Sequence, residues 1–92
     1  MSKLEKVDER AFTAEAEADG WVVHKLTFPD CRGAGDRIYG KDGRTVLIEW
    51  KRKGKEPTRQ QFKRLRELRQ AFGWDAYCVD NIADARIILG IT

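Results

Sequence analysis

Two acidic residues and a lysine lie close together in a segment with the sequence pattern of a β-hairpin. The dipeptide Asp42-Gly43 is typical of a type I′ turn between two strands. With this pair at the turn, Asp36 lies directly opposite Glu49, and opposed side chains point to the same side with Cβ atoms about 5 Å apart. Lys51, two residues after Glu49, points to that side as well. Since opposed like charges destabilise a plain strand pair, we interpret the two acids as partners of a cation.

The two carboxylates are suited to a hard divalent cation. Mg²⁺ takes oxygen ligands and often uses only one or two protein carboxylates with substrate phosphate oxygens. Asp36 and Glu49 meet that requirement, and the backbone carbonyl of Trp50 is a further candidate ligand. Such an ion lowers the pKa of a bound water and stabilises charge on a phosphate, and Lys51 could orient the water or hold a phosphate oxygen. These are the parts of a metal-dependent phosphodiester hydrolase. On hairpin geometry alone, the alternative is an exposed salt bridge of Lys51 with both acids, which contributes little.

Positive charge is concentrated in one part of the chain. The formal net charge is only +3, but nine Lys or Arg against two Glu lie between Lys51 and Arg69. Between Met1 and Asp19, six acidic residues outnumber three basic ones. The uneven distribution favours a phosphate-bearing partner, and a solvated helix surface is the alternative.

The hydrophobic periodicity and the turn residues predict seven elements in the order α, β, β, β, α, β, α. They are a helix over 3–19, a strand over 21–27, the hairpin over 36–51, a helix over 58–72, a strand over 74–79 and a short helix from Asn81 to about Leu89. The strand over 74–79 follows a helical crossover and is expected to run parallel to the second hairpin strand. The fold class is α/β with a mixed sheet, and 92 residues make one domain, 1–92.

Helical spacing predicts which faces of the two longer helices are buried. The apolar residues expected in the core are Leu4, Val7, Ala11, Ala14 and Ala18 of the first helix and Phe62, Leu65, Leu68 and Phe72 of the second. The three tryptophans and Cys78 are also expected in the core or in sheet packing.

Cysteine usage and hydropathy favour a cytoplasmic protein. Cys31 and Cys78 form no CxxC pattern, and with one His there is no zinc constellation. The sequence does not exclude a disulfide between them. The chain has no signal-peptide pattern and no apolar run near the ~20 residues that a membrane span needs.

A family resemblance adds to this interpretation. The pattern G-x-G-D-R, an apolar strand ending I-E-W-K and a helix beginning T-R-Q-Q together resemble the VRR-NUC domain of the PD-(D/E)xK nuclease superfamily. The resemblance covers about residues 9–80 and implies a restriction-endonuclease-like core. It implies that Asp36 and Glu49 bind Mg²⁺, with Mn²⁺ as a possible substitute, and that Lys51 is the catalytic lysine. It implies DNA cleavage leaving a 5′-phosphate and a 3′-hydroxyl. The family usually has proline where Gly35 stands.

The resemblance also directs attention to two helical residues. The family carries a metal-binding Glu on its first helix, and Glu9, which shares a face with Phe12, matches it best. Glu5 lies on that face too, and a solvated acid is the alternative. Gln61 falls within the apolar face of the second helix and points toward the sheet. The resemblance places Gln61 beside the catalytic lysine, and the alternative is a capping box with Thr58.

The basic segment is expected to hold the DNA. A track along the phosphate backbone would consist of Lys53, Lys55, Arg59, Lys63 and Arg66. No base-reading motif is present. Standalone members of the family resemble junction-resolving enzymes, which implies a homodimer of phage or bacterial origin that acts on branched or four-way (Holliday junction) DNA, with duplex DNA as a further substrate. The alternative function is a non-catalytic nucleic-acid-binding module that uses the basic helix 58–72.

Overall fold

A computed structural model describes residues 3–26, 35–52 and 54–91, with residues 3–7 and 35 described by their backbone alone. The elements are α1 (Lys3–Ala18), β1 (Val22–Lys25), β2 (Gly35–Lys41), β3 (Arg44–Trp50), α2 (Arg59–Ala71), β4 (Asp75–Val79) and α3 (Ile82–Leu89). Their order and types agree with the prediction. None of the helices in the described ranges is long and apolar enough to cross a membrane.

The strands form one mixed sheet in the order β1-β2-β3-β4. The first three strands are antiparallel neighbours, and β4 runs parallel to β3, which confirms the predicted crossover. Asn81 caps α3, as predicted, because its side chain accepts a hydrogen bond from the Asp84 amide.

The turn between β2 and β3 fixes the position of every residue along the hairpin. Asp42 and Gly43 both have positive φ, 50° and 81°, as a type I′ turn requires. The register then runs from Lys41 opposite Arg44 to Asp36 opposite Glu49. The register predicted from the Asp-Gly dipeptide is therefore confirmed at each position.

Each face of the sheet packs against different helices. On one face, α1 and α3 cover a core that consists of Phe12, Ala16, Trp21, Tyr39, Val46, Ile48, Trp50, Val79, Ala85 and Leu89. Inside it, the Trp50 Nε1 donates to the Tyr39 hydroxyl at 3.1 Å. On the other face, α2 covers a smaller cluster of Leu47, Leu65, Leu68 and Ala76. Asp36 and Glu49 share the side of Leu47, since side chains two residues apart along a strand point the same way.

The predicted apolar face of α1 is wrong. Ala11, Ala14 and Ala18 are exposed, and the buried face carries Phe12 and Ala16. Alanine removes little apolar surface from water, so the single ring of Phe12 determines which face packs. The side chains of Leu4 and Val7 lie outside the described residues.

The predicted apolar face of α2 is correct only in its middle. Leu65 and Leu68 are buried, but Phe62 and Phe72 are 59% and 65% exposed. Phe62 lies about 60° round the helix from Leu65, on the side away from Leu68. Phe72 is the C-cap residue and contacts Trp74, with ring centroids 5.8 Å apart. Both rings therefore lie beyond the strip of the helix that contacts the sheet.

Candidate active site

Asp36 and Glu49 form a buried acidic pair at the end of the hairpin distant from the turn. They are direct partners in the β2–β3 register, and their side chains are 1% and 2% exposed. An exposed salt bridge, the alternative to a site, is thus excluded by burial. Two carboxyl groups removed from water in adjacent positions lose solvation and repel each other, so the fold keeps them here at a cost in stability.

Three of the four carboxyl oxygens in the acidic pair have no hydrogen-bond donor among the described residues. Among the described residues, neither carboxyl oxygen of Asp36 nor the Glu49 Oε2 has a hydrogen-bond partner. Burial first, and then the charge of Glu49, raise the pKa of Asp36 from 3.8 to about 7. A hydrogen bond between the two groups forms only when one is protonated, since ionised carboxylates only accept, and this raises the pKa of Asp36 further.

Arg64 of α2 supplies part of the missing positive charge. Its Nη2 donates to the Glu49 Oε1 at 3.2 Å, and the guanidinium is largely buried. No prediction from the sequence named this residue. The signal was present, because Arg64 lies about 40° round the helix from the buried Leu68. A cation beside an apolar helix face is typical of a residue that meets a buried acid.

Lys51 follows β3 and lies beside the acidic pair. Its amide donates to the Val79 carbonyl at 2.8 Å, which continues the β3–β4 pairing past Trp50. The side chain is half-buried, and its charge, after that of Arg64, opposes the rise in the pKa of Asp36. The predicted grouping of Asp36, Glu49 and Lys51 is thus the arrangement found, while their catalytic roles and that of the Trp50 carbonyl stay predictions.

Cys78 packs against the smaller core cluster under α2, as predicted, and it also lies next to the acidic pair. It pairs with Glu49 in the β3–β4 register and is half-buried. Burial, followed by the charge of Glu49, raises the pKa of its thiol to about 12. The thiol therefore stays protonated and contributes no negative charge. Cys31, the other half of the disulfide considered from the sequence, lies outside the described residues.

Gln61 makes the capping box that was the alternative to a catalytic role. Its Oε1 accepts from the Thr58 amide at 2.9 Å, and its own amide donates to the Thr58 Oγ1 at 3.2 Å. These two bonds stabilise the start of α2. The cap occupies the side-chain oxygen, so a role of Gln61 beside Lys51 stays a prediction.

Glu9 is buried on the other side of the sheet. Its Oε2 lies 2.9 Å from the Arg37 Nε, but neither atom has a hydrogen-bond partner, so the contact is ionic with poor alignment. Arg37 points away from Asp36, as neighbours on a strand do. Within the described ranges, no group of three or more His, Cys, Asp or Glu could hold a metal ion. A metal role for Glu9 stays a prediction, and the Glu5 side chain is not described.

Basic residues of the predicted DNA track lie on the outer surface of α2. Arg59, Lys63 and Arg66, here called the basic helix face, are exposed and form no ion pair with another described residue. Lys55, in the connection before α2, is also exposed. Lys53 lies outside the described residues. The basic helix face is therefore accessible to a phosphate backbone.

The acidic pair fits a hard divalent cation. Three buried carboxyl oxygens lack a donor, and a carboxylate from each of two strands is the ligand number that Mg²⁺ commonly takes from protein. A cation would also reverse the sign of the interaction that now raises the pKa of Asp36. The chain's own ligands would be Asp36 and Glu49.

Comparison with known proteins identifies the fold. The chain matches no known protein-family profile and no curated protein sequence. It is similar to a solved structure described as "VRR_NUC domain", with 20% sequence identity, a TM-score of 0.79 and coverage of 97% of each chain. The resemblance predicted from the motifs, and the mixed α/β core that it implied, are thus confirmed at the level of the fold. The chain has the fold of a VRR_NUC domain.

Proposed function

We propose that the chain is a metal-dependent nuclease of the VRR-NUC type that hydrolyses phosphodiester bonds in DNA. One observation carries the proposal: Asp36 and Glu49 are opposed in register, buried, and left with three oxygens that no described residue donates to. A fold rarely retains buried like charges without a function that needs them. The shared fold with a VRR_NUC domain supports the same assignment.

In this proposal, Asp36 and Glu49 bind Mg²⁺, or Mn²⁺ in its place, on the side of the sheet that faces α2. When bound, the ion supplies positive charge that offsets the negative charge developing on the phosphate. Lys51 follows β3 on the same side, where its ammonium group holds a phosphate oxygen or orients the attacking water. Gln61 and Glu9, predicted from the resemblance, are not needed for this arrangement.

Arg64 has two roles in the proposal. Without substrate, its guanidinium neutralises Glu49 across a 3.2 Å hydrogen bond. With substrate, the same planar group is suited to donate to a phosphate oxygen, because arginine keeps its charge when buried. In the absence of DNA, Arg64 therefore offsets part of the negative charge of the acidic pair.

The substrate in this proposal is DNA held by the basic helix face, with Lys53 and Lys55 extending the contact. A domain of 92 residues offers little surface for a duplex. A homodimer would give two sites and a longer basic channel, which suits branched or four-way DNA. Phosphate contacts of this kind position DNA without reading its sequence.

The test is cleavage of a panel of linear, forked and four-way DNA with Mg²⁺, Mn²⁺ or EDTA. We expect metal-dependent cleavage in the wild type and a loss of about a hundredfold or more in Lys51→Ala under single-turnover conditions. The matched control is Lys41→Ala at the turn end of the hairpin, where Lys41 pairs with Asp19 and no loss is expected. Wild-type rates in Lys51→Ala would refute the site.

The exposed basic helix face also favours the alternative, a module that binds nucleic acid without cutting it. Such a module would bind the same DNA panel with an affinity that falls as salt increases. Its signature is binding without metal-dependent cleavage of any substrate. That result would overturn the nuclease proposal and leave the module as the function.

A further inference from the structure

Phe62 is an exposed aromatic ring surrounded by cations. It is 59% exposed, and it lies on one stripe of α2 with Arg59 at i−3 and Arg66 at i+4, since residues three and four apart are helix neighbours. A large apolar side chain on a monomer's surface is unremarkable singly. Phe62, however, lies among the cations of the basic helix face, where an apolar ring cannot bind phosphate and so points to a different contact.

The ring borders a concave surface. A hollow of about 740 Å³ is lined by Arg59, Gln60, Phe62, Lys63, Arg66 and Arg69. Its volume falls in the range of about 300–1,000 Å³ that accommodates small organic ligands. A flat apolar ring with guanidinium and ammonium groups around it matches a nucleotide, which joins a flat base to an anionic phosphate.

We propose that Phe62 is a stacking platform for an unpaired base of the DNA substrate, with Arg59 and Arg66 binding the phosphates on either side. Bases stack on aromatic side chains irrespective of sequence, and cations beside the ring track the backbone. The inference rests on the proposed function and deepens it. The preferred DNA then has unpaired bases, as at a fork or gap.

A second copy of this chain is a poorer occupant of the same surface. In a two-fold dimer the same patch meets itself, so a contact centred on Phe62 would bring two sets of Arg59, Lys63 and Arg66 together. Like charges facing each other across an interface oppose association. The charge of the patch therefore favours nucleic acid.

The same helix carries Arg64, which contacts Glu49 of the acidic pair. Phe62 and Arg64 are two residues apart and thus on different faces of α2. A strand stacked on Phe62 is thereby held by the helix that also contacts the site. The stacked base would set the position of the strand relative to the acidic pair.

The experiment measures binding by fluorescence anisotropy in the presence of EDTA, so that it does not depend on cleavage. The probes are a single-stranded oligothymidine and a blunt duplex. We expect Phe62→Ala to weaken single-strand binding about fivefold or more. Its affinity for the duplex should stay within about twofold of the wild-type value. Phe62→Trp, which keeps an aromatic face, should restore single-strand binding, and Phe62→Leu, which keeps only apolar volume, should not. The matched control is Phe72→Ala, an exposed aromatic whose ring contacts Trp74.

Four results would overturn the inference. Equal loss on both probes, or no loss on the single strand, would mean that Phe62 does not contact a base. Full binding by Phe62→Leu would mean apolar packing rather than stacking. A dimer that dissociates in Phe62→Ala by light scattering would place Phe62 in a self-interface. A wild type that stacks the single strand but cuts no DNA would overturn the nuclease proposal and leave the stacking site intact.

Discussion

The two faces of the sheet each hold a buried acid beside an arginine, and they differ in how the charges balance. Under α1, one carboxylate, Glu9, lies 2.9 Å from one guanidinium, that of Arg37. Under α2, the carboxyl groups of Asp36 and Glu49 lie side by side, and the guanidinium of Arg64 donates to Glu49. Among the described residues, Glu9 and Arg37 match one to one, whereas Asp36 and Glu49, when both are ionised, carry one more negative charge than Arg64 offsets, and Lys51 lies beside them. Excess buried charge, rather than burial of charge as such, distinguishes the candidate site.

The largest expected effect is that of removing the excess charge. Asp36→Asn keeps the shape of the side chain but removes a ligand, so we expect cleavage to fall about a thousandfold. The same variant should be more stable than the wild type above the pKa of Asp36 without metal, by on the order of 2–4 kcal/mol, because a buried like-charge repulsion is gone. Single-turnover cleavage and thermal unfolding in EDTA measure the two effects. A destabilised Asp36→Asn would show that the two carboxyls do not strain the fold.

Neutralising the acid on the other face should have the opposite effect on stability. Glu9→Gln leaves Arg37 buried without a counter-charge, and breaking a buried pair in this way costs about 3 kcal/mol. Denaturant unfolding measures the loss, and Glu17→Gln, a change at an exposed acid of the same helix, serves as the control. If Glu9→Gln instead left stability unchanged but abolished metal binding, Glu9 would be a ligand, as the family resemblance implies, and the contrast between the faces would be wrong.

The pH dependence of stability should also report the acidic pair. Because the folded state raises the pKa of Asp36 from 3.8 to about 7, it binds this proton more tightly than the unfolded state. The contribution of the Asp36 carboxyl to the free energy of unfolding is therefore fully present below about pH 4. It is lost as the pH rises to about 7, by at most about 1.4 kcal/mol per pH unit. Glu15, whose pKa is lowered by its hydrogen bond from Arg86, acts in the opposite direction.

The difference in unfolding free energy between wild type and Asp36→Asn, measured in EDTA, isolates the contribution of Asp36. We expect that difference to grow across the pH interval between 4 and 7 that the two pKa values define. Addition of Mg²⁺ should reduce it, since a ligand that binds only the folded state stabilises it. A difference that stays flat with pH would contradict the raised pKa.

The smallest effect is expected at Arg64. Arg64→Ala leaves Glu49 without its donor, so stability in EDTA should fall by about 1–3 kcal/mol. Mg²⁺ should then raise the midpoint of thermal unfolding more in this variant than in the wild type, because the cation replaces the missing charge. Arg66→Ala, an exposed neighbour on the same helix, is the control and should leave both values unchanged. An equal Mg²⁺ response in wild type and Arg64→Ala would mean that Arg64 does not balance the acidic pair.

The hairpin could be predicted residue by residue because a two-residue turn leaves no freedom in register. Asp42 and Gly43 both adopt positive φ, and the positions of Asp36 and Glu49 then follow by counting. The capping box of α2 could be predicted for the same reason, since both of its hydrogen bonds join Thr58 and Gln61, three residues apart in the sequence. Such local rules no longer suffice where a side chain has a choice of tertiary partners, as Gln61 has between the cap and the site.

Helix orientation could not be predicted as well, since it depends on what lies beneath the helix. The alanines of α1 predicted that their own face is buried, but that face is exposed. The face that packs against the sheet is the one that carries Phe12. Phe62 was expected in the core, but the buried apolar residues that α2 packs against the sheet are Leu65 and Leu68. Arg64 lies next to the correctly predicted part of that face, and its burial depends on the acid in the sheet beneath it.

Calorimetric titration of Mn²⁺ into the metal-free protein tests the central claim most directly. We predict saturable binding to the wild type, loss of binding in Asp36→Asn, and wild-type affinity in Glu9→Gln. Binding that survives in Asp36→Asn, or that is absent from the wild type, would contradict the assignment of the unbalanced acidic pair as the metal site.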